Sequence, residues 1–246
     1  MMTKHKPFNE ILNAYLPAEV SVRYTRFPRH VCSNPIQMVL CKPDTLYKLF
    51  LGLRECGRFH LRHEINIACP TIQHEVEVNR WAEEVLKTEG FHHLPKEVRT
   101  HIHCTEVACA CTPKSVTGTI WSYSISNSGA YYPELIECPY PTNPYRLFVY
   151  FHECAHIELN HFERCETDLV FWECIAEFEA TRWALQKLVE NGFKLPMQNK
   201  QVARNYVLKN WLANEEEGLT VDKLPDEMRR WLGLEADQPF HADWWE

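Results

Sequence analysis

The chain has 246 residues, 45% hydrophobic and 24% charged, with a formal net charge of −7 and eleven cysteines. That is globular composition, enough for one large domain with an appendage rather than a small disulfide framework. No run approaches the roughly 18 apolar residues of a membrane span, the N-terminal MMTKHKPFNE has no apolar stretch behind its charges, and the acidic total disfavours a protein that coats nucleic acid. A soluble cytoplasmic protein with reduced thiols is therefore expected.

The first expected helix is FNEILNAYL, where Phe8, Ile11, Leu12, Tyr15 and Leu16 recur at helical spacing. SVRYTRF and IQMVLCK read as short strands. DTLYKLFLGLRECG reads as a helix, with Asp44 as N-cap and Leu46, Leu49, Phe50 and Leu53 on one face. These opening residues are basic: residues 1–62 hold ten Lys/Arg against four Asp/Glu, and the remainder 16 against 29. A solvated basic face is the expected meaning, ahead of a docking surface for an acidic partner.

A seam is expected near Cys69-Pro70, making residues 1–70 an α/β extension of unknown role and 71–246 the main domain. Within it, VEVNRWAEEVLKTEG places Val78, Trp81, Ala82, Val85 and Leu86 on one helical face and stops at Gly90. PKEVRTH predicts a shorter helix. HIHCTEVACAC follows; read as a strand, it puts His101 with His103 and Cys109 with Cys111 on shared faces. Those spacings match no standard zinc finger, and ordinary buried thiols are expected. TGTIWSYSIS and YYPELIECP read as strands joined by the turn-rich NSGA.

The segment TNPYRLFVYFHECAHIELNHF predicts a helix capped by Thr142 or Asn143, with Pro144 in its first turn. A second long helix, FWECIAEFEATRWALQKLVENG, ends at Asn191-Gly192. Two more follow, in NKQVARNYVLKNWLA and PDEMRRWLG. Strands in the middle and helices late give an α+β class.

Chemistry concentrates in FHECAHIELNH, residues 151–161. His152 and His156 lie one turn apart, so both imidazoles can reach one ion from the same side. Glu153 completes the H-E-x-x-H pattern of zinc peptidases, in which the glutamate is the general base. A tight catalytic zinc site needs a third protein ligand and an open position. Continued along the same helix, His161 points away from both histidines and is expected to pack or to support the site from behind. The following helix offers Glu173 and Glu177 on one face, with Glu179 turned away. Geometry leaves Glu173 and Glu177 both open.

HECAHIELNH followed by EFEATRWA at 177–184 resembles the ImmA/IrrE family of metallopeptidases, which pairs an H-E-x-x-H helix with a later E-x-E-A-N-x-F-A segment. The likeness covers mainly residues 131–185. It implies a zincin-like metallopeptidase domain with a small mixed sheet, zinc ligands His152, His156 and Glu177, and Glu153 as base. It further implies limited cleavage of a protein substrate, typically a helix-turn-helix repressor. Trp183 stands where the family has phenylalanine, a mild swap, and Thr181 where it has asparagine, which bears on the hydrogen bond that orients a zinc-linked group. YYPELIECP is the expected strand for holding extended substrate, and Tyr131, Tyr132, Tyr140 and His241 are available to steady an oxyanion. Two other functions are compatible with the residues. One is a non-catalytic zinc-binding regulator that holds a protein partner. The other is a deformylase-like hydrolase, which requires a cysteine such as Cys111 or Cys138 as third ligand.

Overall fold

The computed structural model describes residues 6–18, 20–25, 37–61, 71–116, 118–121, 130–131, 135–167, 173–216 and 219–234. The chain divides into two compact units, Met1–Cys109 and Ala110–Glu246. The expected seam at Cys69-Pro70, the turn residues 127–129 and the aromatic tail HADWWE lie outside the described residues.

In the first unit, α1 (Phe8–Tyr15), α2 (Leu46–His60), α3 (Ile72–Thr88) and most of α4 (Lys96–Cys111) accompany two parallel strands, β1 (Ser21–Thr25) and β2 (Gln37–Cys41). Its core gathers Ile11 and Leu12 from α1, Leu40 from β2, Leu49, Phe50 and Leu53 from α2, Leu86 from α3, and Val98 and Ile102 from α4. The helix expected over DTLYKLFLGLRECG forms, but Thr45 rather than Asp44 caps it: the Thr45 hydroxyl accepts from Lys48 N at 3.2 Å. Asp44 instead binds the Lys48 ammonium at 2.7 Å, one turn along the surface. HIHCTEVACAC is not a strand. It continues the helix begun at Lys96, because His101, Cys104, Thr105 and Ala108 supply a buried face at helical spacing. His103 is consequently exposed while His101 is buried, and Tyr47 Oη lies 3.1 Å from His101 Nδ1.

The second unit combines a three-stranded mixed sheet with helices. In it β5 (Leu135–Cys138) pairs in parallel with β3 (Gly118–Trp121) and antiparallel with β4 (Ala130–Tyr131), with Ile136 opposite both Thr119 and Tyr131. The α+β reading therefore holds in its coarse form. β5 is central, its two edges taken by β3 and β4, so the stretch LIEC cannot receive substrate as an added strand. Behind it come α5 (Pro144–Glu158), α6 (His161–Thr167), α7 (Glu173–Glu190), α8 (Met197–Glu216), a 3₁₀ turn (Val221–Lys223) and α9 (Asp226–Leu232). The helix α5 packs on β4, β5, α6 and α7. Every residue from Leu147 to His156 is buried, as befits a helix covered on all sides. A second apolar cluster joins Ile175 and Phe178 of α7, Val207 and Trp211 of α8, and Met228 and Trp231 of α9.

Candidate metal centre

The position of the site follows from how α5 begins and ends. Asn143 caps it, its side chain accepting from Arg146 N at 3.0 Å, and Pro144 occupies the first turn. Eight residues on, the chain presents His152 and His156 on one side of the helix. The C-terminus is closed by Asn160, in the left-handed region at φ 55°, a conformation that asparagine tolerates beyond a helix end. His161 thus does not continue α5. It opens α6 and folds back, with Nδ1 3.0 Å from His156 Nδ1. Extrapolating α5 through residue 161 fails for that reason, although the expected supporting place for His161 is where it sits.

α7 supplies the carboxylate. Glu177 Oε2 lies 2.9 Å from His152 Nε2, Glu177 Oε1 lies 3.7 Å from His156 Nε2, and the two imidazole Nε2 atoms are 3.2 Å apart. Of the two open glutamates, Glu173 is exposed at the start of α7, whereas Glu177 is buried and joins the histidines. His152, His156 and Glu177 are the group among the described residues whose ligand atoms, all within 4.8 Å of one another, can hold a metal ion. No cysteine belongs to it; Cys138 and Cys154 are buried with thiol pKa values pushed well up by burial, and Cys104 and Cys174 are pushed up to about 12 by the same cause.

These residues fit a tetrahedral zinc ion. With metal–ligand bonds of about 2.0–2.1 Å, the donors of such a site stand roughly 3.3 Å apart; the two imidazole Nε2 atoms, 3.2 Å apart, stand near that value, and a different Glu177 oxygen approaches each of them, at 2.9 Å and 3.7 Å. Two imidazoles and one carboxylate form a donor set suited to zinc.

The electrostatics separate the roles of neighbouring groups. Glu153 is buried beside the ligands, and its carboxyl is raised to about 7, by burial first and by the charge of Glu177 against the opposing pull of His152. His156 is driven down to about 2 by burial and by the neighbouring His152 and His161, so it stays a neutral donor. Burial works to lower His152 as well, but the hydrogen bond and charge of Glu177, with the charge of Glu153, leave its pKa raised. His161 is fully buried, and its Nε2 lies 3.1 Å from Glu179 Oε2, which Arg164 Nη1 also reaches at 2.6 Å. Glu179, turned away from the ligands as its spacing requires, serves their support.

Tyr206 carried no signal in the sequence, since nothing in NKQVARNYVLKNWLA marks it. On α8 its ring stands edge-on to His152 with centroids 6.3 Å apart, and it is 49% exposed, so the phenol is reachable from solvent beside the ligands. Of the oxyanion candidates from the sequence, Tyr132, His241 and the side chain of Tyr131 lie outside the described residues. No known protein family, characterised protein or solved structure matches this chain.

Proposed function

We propose that the chain is a zinc-dependent endopeptidase of the ImmA/IrrE type, making limited cuts in a protein substrate such as a helix-turn-helix repressor. The observation that carries the reading is the buried triangle of His152, His156 and Glu177 with the Glu153 carboxyl beside it. Bound zinc supplies Lewis-acid polarisation of the scissile carbonyl and of the attacking water. His152, His156 and Glu177 would hold the ion. Glu153, its carboxyl poised near neutral pH, accepts the proton that the water loses and delivers it to the nitrogen of the leaving amine. Tyr206, whose ring stands beside that of His152, would donate its hydroxyl proton in a hydrogen bond to the developing oxyanion. Among the described residues β4 stands at an edge of its sheet and packs against α5, and an extended substrate would add there.

The test is metal analysis of purified protein together with cleavage of a quenched-fluorescence peptide library. One zinc per chain is expected in the wild type and none in Glu177→Ala or His156→Ala. Glu153→Gln is expected to keep its zinc and cut about 10²–10⁴ times more slowly. A wild-type protein without zinc, or a Glu177→Ala variant that binds it equally well, sinks the proposal. Zinc at full occupancy with no peptide cut would instead favour a non-catalytic regulator that holds its partner.

A further inference from the structure

A neutral imidazole has one nitrogen that donates and one that accepts, and the partner of one decides the other. His161 meets a carboxylate on one side and a second imidazole on the other. Glu179 in its ionised form can only accept, so the His161 nitrogen facing it, Nε2 at 3.1 Å, carries the proton. The His161 Nδ1 is then a bare acceptor, 3.0 Å from His156 Nδ1. Two like nitrogens at that distance attract only if one of them donates. The proton therefore sits on His156 Nδ1, which leaves the lone pair on His156 Nε2, the atom 3.2 Å from His152 Nε2.

We infer that His161 is a positioning residue, which together with Glu179 and Arg164 locks His156 in the tautomer whose Nε2 lone pair faces the metal group. The inference rests on the metal-centre reading proposed above. Each link is anchored. Arg164 grips the Glu179 oxygen that His161 uses, His161 is wholly enclosed, and Asn160 sets the backbone corner that brings it round. His152 is held differently, its Nδ1 lying 3.4 Å from the Thr181 hydroxyl. A hydroxyl can donate or accept, so Thr181 does not choose the His152 tautomer; the Glu177 carboxylate, 2.9 Å from His152 Nε2, places the proton of the metal-free ring on that nitrogen, from which a bound ion would displace it. With no acceptor at His156 Nδ1, the alternative tautomer would put a proton where the metal bond must form.

The experiment has two arms on the full-length protein. In metal-free protein labelled with ¹⁵N at histidine, a two-bond proton–nitrogen correlation spectrum is expected to show His156 protonated at Nδ1 and His161 at Nε2. In the second arm zinc affinity is read by chelator competition. His161→Phe, which keeps the ring volume and removes the acceptor, is expected to weaken zinc binding about 10- to 100-fold, with His161→Asn restoring it to within about threefold. Glu179→Leu should follow His161→Phe, while Glu179→Gln, which still accepts through its amide oxygen, should follow the wild type. Glu179 is partly exposed, so its variants test the relay even if His161→Phe does not fold. His156 protonated at Nε2 in the metal-free wild type overturns the inference. So does a zinc affinity unchanged within about threefold in both Glu179→Leu and folded His161→Phe. Wild-type protein that binds no zinc yet shows His156 protonated at Nδ1 overturns the peptidase reading and supports the relay.

Discussion

Thr181 lies one helical turn beyond Glu177 on α7, where its hydroxyl approaches His152 Nδ1. An asparagine at that place would offer its amide to the same nitrogen where threonine offers a hydroxyl. Thr181→Val removes the partner without changing the volume much. It is expected to weaken zinc binding about tenfold, as supporting residues of a metal ligand commonly do, whereas Thr181→Asn should bind like the wild type in the same chelator competition. Glu75 makes a different residue-scale case. It is fully enclosed in the first unit, with Arg54 Nη2 and Arg58 Nη2 each 2.5 Å from its carboxylate. Burial acts to raise its pKa, yet the charges of Arg58 and Arg54 and the Arg58 hydrogen bond leave it lowered. A carboxyl depressed on folding contributes stability that is whole above its unfolded pKa and is lost as pH falls through the folded value. Urea unfolding should thus show stability declining with acid below the ordinary carboxylate range, and Glu75→Gln should flatten that decline. Glu75→Ala takes the carboxylate from the buried Arg54 and leaves Arg58 with Glu55, and is expected to cost about 3–5 kcal/mol in the same measurement.

Among the elements, α5 starts at a side-chain cap. Asn143→Ala removes a cap worth about 1 kcal/mol and should lower the melting temperature by roughly 2–4 °C. Gly57 of α2 is a tighter constraint, because a Cβ there would meet Trp81 Cε3 at 2.8 Å, so Gly57→Ala should destabilise the α2–α3 packing by about 1–3 kcal/mol in thermal melts. The long helices were legible because their apolar residues recur every three or four positions and their ends carry threonine, asparagine, proline or glycine. The α4 segment was misleading: H-I-H and C-A-C alternate locally like a strand, while its burial runs at helical spacing over a longer window. His152, His156 and Glu153 could be read from spacing alone. Spacing left Glu173 and Glu177 open and only the family likeness pointed to Glu177, because the relative rotation of α5 and α7 is a tertiary quantity that spacing within one helix does not contain. The approach of Glu179 to His161, and of Tyr206 to His152, likewise depends on how separate helices meet.

For the whole molecule, a ligand that binds only the folded state stabilises it by mass action. Zinc at 100 times its dissociation constant should add about 2.7 kcal/mol, so chelation is expected to lower the melting temperature of the wild type and leave that of Glu177→Ala unchanged. The basic character of the first 62 residues does not all reach solvent, since Arg54 is buried and Arg58 largely so, both bound to Glu75. No helix among the described residues is long and apolar enough to cross a membrane.

A corner made by asparagine rather than glycine has a cost that appears far from itself. The H-E-x-x-H signature ends at His156, and a search that stops there would accept a chain in which Asn160 had become valine or isoleucine. Such β-branched residues resist a positive φ, and the turn would unwind toward a continued helix, carrying His161 off the far side. The signature would survive intact on paper while one of its imidazoles was left free to turn its proton toward the ion.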